Sequence, residues 1–415
     1  MEHKLHTPEG VRDIYHLECK RKLKVQEELH HTLLSYGYQD IQTPTFEYFD
    51  VFRREIGTIP TNELYKFFDR DGHTLVLRPD LTPSITRAAA TLFEDDDFPV
   101  RLCYIANTFT NHSSYLGRLK ENTQLGAELI GIDSIDADAE MLAMVADGLN
   151  KIGLNEFQIT IGHIDFIHSL LEATNLPEEK KQEIHTLITN RNYFGVEEIL
   201  NKENVDIFVK EAFHILPELV GGVEVLKRAI HFAPTAKAES AIKRLLEIYK
   251  ILTYYGVTDH ICFDLSMSGK YDYYSGIIFR AYTYGTGDAI VRGGRYDHLM
   301  EKFGRPTPSI GFAIIIDELM NALNRQKIEI GTGYTNIIVY TDKTLRWAVS
   351  LARAMRTAGH KVELIKQKTG ETPDDYTSYE KRTQILSIYF LQDDYSALRI
   401  NVQTGEQKLF HGTQN

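Results

Sequence analysis

The sequence predicts an α+β fold in which an antiparallel sheet with flanking helices carries a helical insertion and is followed by a small α/β domain. Short apolar segments separated by turn residues run through 38–162 and resume at 261–313, as expected for strands. The block 164–255 between them is charged and has helical spacing. Residues 335–415 show the strand–helix–strand order of a βαβ unit.

Composition is that of an ordinary globular chain without a membrane segment. Of 415 residues, 43% are hydrophobic and 25% are charged, and the length favours two or three domains. The three cysteines are dispersed, which is typical of reduced thiols in a cytoplasm. The N-terminus has no signal-like apolar segment, and no apolar run of about 18 residues occurs. The net charge of −12 disfavours a nucleic-acid partner.

The first elements follow from local signals. Apolar residues at helical spacing predict a helix over 16–36. An Asp-Gly turn predicts a hairpin over 64–77. Thr82, followed by a proline, predicts the N-cap of the next helix. Strands at 100–109 and 123–130 then form a long antiparallel hairpin around a polar loop.

The remaining elements set the predicted domain bounds, a synthetase-like core at 1–325 and a small α/β domain at 335–415. A helix at 136–152 and a strand at 157–162 precede the insertion at 164–255. The later predicted elements are a strand at 309–313, a helix to 323, tail strands at 336–340, 361–365 and 385–391, and a tail helix at 345–358.

The stretch Ser266–Asp297 is the strongest candidate for a site. It reads as a strand, a turn and a strand, followed by a second Gly-rich turn at Gly293-Gly294. Glycines stand beside tyrosines at both ends, a combination that suits a small pocket for a polar, ring-bearing ligand. The alternative is two hairpin corners whose tyrosines pack only for bulk.

Standard catalytic constellations are absent from the sequence. There is no GxxxxGK[ST], GxSxG or HExxH motif, and no cysteine–histidine cluster has zinc spacing. The sixteen histidines are dispersed. We therefore predict no catalytic residue, no metal and no cofactor.

The order of the motifs resembles the catalytic core of a class II aminoacyl-tRNA synthetase, specifically histidyl-tRNA synthetase. The motifs are LRPDLT, QLGAELIG, DYYSG, GGRYD and IGFAIIIDEL, and the resemblance covers most of residues 5–325. The tail is similar to the small α/β anticodon-binding domain of that family in topology alone.

Three motifs depart from the family where it holds ATP. Arginines of the family are replaced here by Thr110, Gly269 and Glu318, and a nearby acid is replaced by His112. A like-charge contact near 4 Å costs about 4 kcal/mol at an effective dielectric of 20, so an acid facing a triphosphate is strongly unfavourable. Lys270 or Arg280 could replace one lost cation but not three. Aminoacylation is therefore predicted to be absent.

The amino-acid pocket of the family is largely retained. The resemblance assigns histidine binding to Asp80, Thr82, Gln124, Glu128, Tyr274 and Tyr296. Positions 124 and 128 face the same side of a strand, and acids and hydroxyls suit an ammonium and an imidazole N–H. The replacement at Gly269 leaves the ligand carboxylate without its expected partner. The alternative is that these polar residues are relics that satisfy one another.

A histidine pocket without an ATP site resembles the regulatory subunits of ATP phosphoribosyltransferase, a family paralogous to histidyl-tRNA synthetase. The resemblance implies a non-catalytic cytoplasmic subunit that dimerises and joins a short-form catalytic subunit in a hetero-octamer. It would activate that subunit and take part in feedback inhibition by histidine, with no tRNA or membrane partner. The alternatives are a divergent histidyl-tRNA synthetase and a histidine-binding protein with another partner.

Overall fold

The computed structural model describes residues 5–52, 60–94, 97–112, 118–267, 274–368, 370–377 and 384–411. The chain divides into two compact units. One comprises the residues up to Arg12 and Val25–Glu329, and the other comprises Asp13–Lys24 and the residues from Ile330 onward. The predicted domain bounds stay a prediction. No helix of the described residues combines the length and apolarity needed to cross a membrane.

The first unit is built on a nine-stranded sheet that is largely antiparallel. Its strand order is β1-β5-β6-β12-β11-β10-β7-β9-β8, and only the β1–β5 and β7–β9 pairs are parallel. The strands are β1 (Gln39–Asp40), β5 (Val100–Phe109), β6 (Glu121–Ile130), β7 (Phe157–His163), β8 (Val220–Gly221), β9 (Ile261–Asp264), β10 (Ile277–Thr283), β11 (Val291–Arg295) and β12 (Ser309–Ile315).

A three-stranded sheet and helices accompany this sheet. The small sheet has the order β2-β4-β3 and contains the predicted Asp-Gly hairpin; its strands are β2 (Phe46–Tyr48), β3 (Lys66–Phe68) and β4 (Thr74–Leu77). The helices before Ile330 and outside the insertion are α1 (His16–Ser35), α2 (Thr82–Leu92), α3 (Ile135–Lys151) and α10 (Ile316–Arg325). The residues of α1 up to Lys24 belong to the second unit. The predicted α+β class is confirmed.

The insertion between β7 and β9 is helical, as predicted, except for the short edge strand β8 that pairs with β9. Its helices are α4 (Ile164–Ala173), α5 (Glu178–Thr189), α6 (Tyr193–Lys202), α7 (Ile207–Ile215), α8 (Val223–Ala229) and α9 (Ala236–Tyr255). Buried apolar residues of α9 recur at helical spacing, because this face packs on α3 and α4.

The second unit is a five-stranded sheet of order β14-β13-β15-β16-β17. The predicted strands and helix are β13 (Thr335–Tyr340), α11 (Leu345–Thr357), β14 (Lys361–Lys366) and β15 (Ile385–Leu391). Three elements were not predicted, namely α12 (Pro373–Thr377), β16 (Ser396–Asn401) and β17 (Gln407–His411). All five residues of β17 are exposed, so this edge strand lacks the apolar alternation that marks a half-buried strand.

Two local predictions were wrong. Gly293 and Gly294 lie inside β11 and not in a turn. A Cβ at Gly294 would lie 2.6 Å from the Tyr274 ring, so the glycine provides close packing in the middle of the sheet. Thr82 is the first residue of α2 and not its N-cap, which is Leu81. The Thr82 hydroxyl donates across the fold to Glu128 instead.

Candidate functional site

A cavity of about 350 Å³ opens on the face of the main sheet where β6, β10, β11 and β12 lie side by side. Five of the six predicted site residues line it, and the sixth, Glu128, lies directly behind the lining. The other polar lining side chains are Glu63, Thr108, Thr110, His112, Arg118, Asn122, Arg280, Asp288, Arg292 and Glu318.

The strand register explains how distant residues meet here. Glu128 pairs with Gly311 on β12, Gly311 pairs with Gly294 on β11, and Gly294 pairs with Ile278 on β10. Two consecutive strands therefore present no side chain between Glu128 and Ile278. We call Gly311 and Gly294 the glycine floor. The absence of side chains at these two positions leaves space into which the side chains of the neighbouring strands reach.

Glu128 is almost completely buried, and both of its carboxylate oxygens accept hydrogen bonds. Thr82 Oγ1 donates to Oε1 over 2.8 Å, and the Tyr296 hydroxyl donates to Oε2. Burial raises the pKa of Glu128 to about 8, although the two hydrogen bonds act in the opposite direction. The pKa of Tyr296 is also raised by burial, and its hydroxyl remains a donor.

A second group of contacts holds Tyr274 and Tyr296 in place. Ser275 N donates to Arg295 O, and Ser275 Oγ bonds Asp297 Oδ2, both over 2.8 Å. The backbone segments next to the two tyrosines are therefore joined to each other. Asp297 also accepts from Arg295 Nη1 over 3.1 Å, which links this junction to the interior.

Arg295 anchors this junction on the far side of the sheet. Its guanidinium is 2% exposed and donates to Asp138 Oδ1 over 2.6 Å. The other oxygen of Asp138 accepts from Arg244 Nε over 2.7 Å. Asp138 lies on α3 and Arg244 on α9 of the insertion. A buried ion cluster thus connects the helical insertion to the residue that precedes Tyr296.

The two remaining predicted residues, Asp80 and Gln124, both line the cavity. Asp80 precedes α2, lines the cavity, and accepts from Leu81 N over 2.7 Å. Gln124 is on β6 with its side-chain oxygen buried, and that oxygen has no hydrogen-bond partner within the described part of the chain. An unpaired buried acceptor is costly, so a ligand donor there is favoured.

Two of the three positions where the sequence lacks a family cation lie in the described part of the chain. Thr110 and Glu318 both line the cavity, and His112 lies 3.5 Å from Glu63. Gly269 and Lys270 lie outside the described residues. Asp317, next to Glu318, accepts from Thr123 N over 2.7 Å and so has a structural role.

Three arginines face this cavity, and the sequence analysis names only one of them, Arg280, as a replacement cation. Arg118, Arg280 and Arg292 line it from positions that match no lost cation. Arg292 forms a 2.6 Å ion pair with Asp288, and Arg280 lies opposite Arg292 in the β10–β11 register. Side-chain alternation along β10 and β11 was the available signal. It places Arg280 on the same face as Ile278, and Arg292 on the same face as Gly294.

Among the residues that the structure describes, two groups could offer ligands to a metal ion, and neither lines the cavity. His30, Asp40 and Cys103 form one, and Asp69, Asp71 and His73 form the other. The His30–Asp40 contact is 2.6 Å, the length of an ordinary hydrogen bond. The second group lies in the exposed turn between β3 and β4.

The raised pKa of Glu128 predicts an unusual pH dependence of stability. The folded protein holds this proton more tightly than the unfolded chain, so the free energy of unfolding falls as the pH rises from 4.5 towards 8. Between about pH 5.5 and 7.5 we expect wild type to lose about 2 kcal/mol relative to Glu128→Gln, measured by urea unfolding. If the free energy of unfolding changed with pH in the same way for wild type and Glu128→Gln, this prediction would be contradicted.

Comparison with known proteins places the chain among two related groups. The model of the histidyl-tRNA synthetase family matches residues 10–319. The ATP phosphoribosyltransferase regulatory subunit of Acetivibrio thermocellus is 37% identical over 407 residues, 98% of this chain and 97% of that protein. The regulatory subunit of Clostridium kluyveri is 35% identical, over 92% of this chain and 98% of that protein.

Solved structures agree with these sequence matches. A Bacillus halodurans crystal structure described as an ATP phosphoribosyltransferase regulatory subunit/histidyl-tRNA synthetase has a TM-score of 0.83 and 31% identity, over 93% of this chain and 98% of that chain. Histidyl-tRNA synthetase from Nostoc has the same TM-score at 19% identity, over 98% and 97% of the two chains, which shows the fold alone. The predicted resemblance and synthetase-like fold are confirmed.

Proposed function

The chain belongs to the family of ATP phosphoribosyltransferase regulatory subunits, which is related to histidyl-tRNA synthetase, and we propose that its cavity is a histidine-sensing site that has lost nucleotide activation. In this proposal the chain is a non-catalytic subunit. It acts on an ATP phosphoribosyltransferase catalytic subunit in a complex.

The charge balance of the cavity is the observation that carries the proposal. Among the described lining residues, four acids stand against three arginines; the acids are Glu63, Asp80, Asp288 and Glu318. An amino-acid zwitterion has no net charge and suits this balance. A triphosphate needs a surplus of positive charge, which these residues do not supply.

The contacts around Glu128 supply acceptors for a bound histidine. Thr82 and Tyr296 both donate to Glu128, and a hydroxyl oxygen can accept as well as donate, so both hydroxyls can also accept from a ligand N–H. We assign the imidazole to the region of Tyr274 and Tyr296. The ammonium is assigned to Asp80, Thr82 and the unpaired oxygen of Gln124. Glu128 then acts through the two hydroxyls that it holds in place.

Regulation by this site requires histidine to prefer one state of the complex. A ligand shifts an equilibrium only by the difference between its affinities for the two states. We propose that the empty subunit supports the active state of a short-form catalytic subunit and that histidine favours the inhibited one. A self-dimer within a hetero-octamer is the assembly proposed for this coupling.

Histidine titration tests the site directly. We expect wild type to bind histidine in calorimetry and Glu128→Ala to bind it more weakly by about 1–3 kcal/mol, because the hydroxyls of Thr82 and Tyr296 lose their acceptor. His298→Ala serves as a control, because His298 is exposed and does not line the cavity. An unchanged titration for Glu128→Ala would remove Glu128 from the site.

A partner assay tests the regulatory role. The purified chain, mixed with a short-form catalytic subunit, should elute as a larger complex and raise its phosphoribosyl transfer rate. Histidine-dependent pyrophosphate exchange should be absent. Exchange activity without co-elution would instead establish a divergent synthetase, for which the three cavity arginines would supply the cations.

A further inference from the structure

Arg280 differs from the other cavity arginines because its side chain has no partner among the described residues. It lies on β10, is half-buried, and lines the cavity. Within the described part of the chain its side chain forms no hydrogen bond or ion pair. Arg292 bonds Asp288 over 2.6 Å, and the exposed Arg118 also interacts electrostatically with Asp288. Arg280 is therefore the cation most in need of an external anion.

The sheet register makes this need stronger. Arg280 and Arg292 are directly opposite each other on β10 and β11, an arrangement that is unfavourable for like charges. Asp288 pairs with Arg292 and leaves the charge of Arg280 uncompensated. Ala313, which lies opposite Arg292 on the neighbouring strand β12, is small and lines the cavity. The small side chain of Ala313 therefore leaves room for a ligand anion to approach the guanidinium of Arg280.

An unpaired acceptor lies on the other side of the floor. Gln124 is on β6, which is separated from β10 by β12 and β11, a span of about 14 Å between backbones. Within the part of the chain that the structure describes, the Gln124 side-chain oxygen has no donor and the Arg280 side chain has no acceptor. An α-amino acid carries one ammonium and one carboxylate, so it matches both ends at once.

We propose that Arg280 binds the α-carboxylate of the ligand, in place of the arginine that related synthetases carry at the position of Gly269. The inference rests on the proposed histidine site and adds the residue that recognises the free carboxylate. It makes Arg280 the residue that distinguishes the amino acid from its amine and alcohol analogues.

The test compares histidine with histamine, which keeps the imidazole and ammonium but lacks the carboxylate. We expect Arg280→Gln to weaken histidine binding about 10- to 100-fold and to change histamine binding about twofold at most, because only histidine offers a charged hydrogen-bond acceptor. Arg280→Lys keeps the charge and should retain part of the preference. Arg70→Gln, in the exposed turn between β3 and β4, is the matched control and should bind both ligands as wild type does.

Each result of these titrations has a distinct meaning. Equal loss of histidine and histamine binding, with a folded far-ultraviolet spectrum, would overturn the assignment and make Arg280 a structural residue. Unchanged histidine binding by Arg280→Gln would overturn it and leave the histidine site intact. Failure of wild type to bind histidine would overturn the proposed function itself, and the Arg280 assignment with it.

Discussion

Asp138→Ala is expected to destabilise the protein by about 3–5 kcal/mol, the usual cost of removing one partner from a buried ion pair. The Asp138 side chain is fully buried and accepts from Arg295 and Arg244. Without it the nearly buried guanidinium of Arg295 keeps, among the described residues, Asp297, the carbonyl of Ile132 and Asp133 at 3.8 Å. Urea unfolding measures the loss.

The same substitution should also reduce histidine affinity. Arg295 directly precedes Tyr296, and the Ser275–Asp297 bridge ties this segment to Tyr274. Movement of Arg295 therefore displaces both tyrosines of the site. Calorimetry on the folded fraction, at a temperature where the variant remains native, would measure this effect.

Asp133→Ala is the matched control for Asp138→Ala. Asp133 contacts the same two arginines at 2.9 and 3.8 Å, but its side chain is 58% exposed. Exposed ion pairs contribute about 0–1 kcal/mol, so this variant should remain close to wild type. Equal destabilisation by the two variants would show that burial of Asp138 is not what makes the cluster important.

Gly311→Ala should disrupt the site from the sheet itself. A Cβ at this position would overlap Oε2 of Glu128 and lie 2.8 Å from the carbonyl oxygen of Ala127. Glu128 would have to leave Thr82 and Tyr296, and each of these hydrogen bonds contributes about 0.5–1.5 kcal/mol. We expect a loss of about 2–4 kcal/mol in stability, combining this term with overpacking. Histidine affinity should fall at least about tenfold.

Gly287→Ala controls for a general intolerance of added methyl groups. Nothing lies within 4 Å of a Cβ there, so its stability should match wild type within about 0.5 kcal/mol. Combining Gly311→Ala with Glu128→Ala should cost less than the sum of the two single variants, because the carboxylate no longer clashes. Strict additivity would refute a direct conflict between Gly311 and Glu128.

The glycines of β11 show where local reading of the sequence fails. Gly293-Gly294 was interpreted as a turn because paired glycines are strong turn signals. In the structure, a side chain at Gly294 would collide with the ring of Tyr274. Only the three-dimensional neighbours reveal that the missing Cβ, and not backbone freedom, is the reason for glycine here.

The arginines of the cavity show a second limit of reading the sequence alone. Motif comparison correctly placed Thr110 and Glu318 beside the cavity, because strand and helix order are preserved. It named Arg280 as a possible replacement cation but did not predict that Arg292 would face the same space. Their meeting depends on the pairing of β10 with β11, which motif spacing does not describe.

Several properties were determined by the sequence alone. Hydrophobic periodicity and turn residues determined the α+β class and the helical insertion, and motif order determined the family. The alternation of a strand was enough to place Gln124 and Glu128 on one face. These properties depend on neighbours in the sequence or on spacing along the chain.

The tertiary structure alone decided which groups satisfy one another. Thr82 and Tyr296 are 46 and 168 residues from Glu128 in the chain, yet both bond its carboxylate. The raised pKa of Glu128 and the unpartnered state of Arg280 have the same origin. Burial and pairing depend on contacts between distant segments, and the packed sheet creates those contacts.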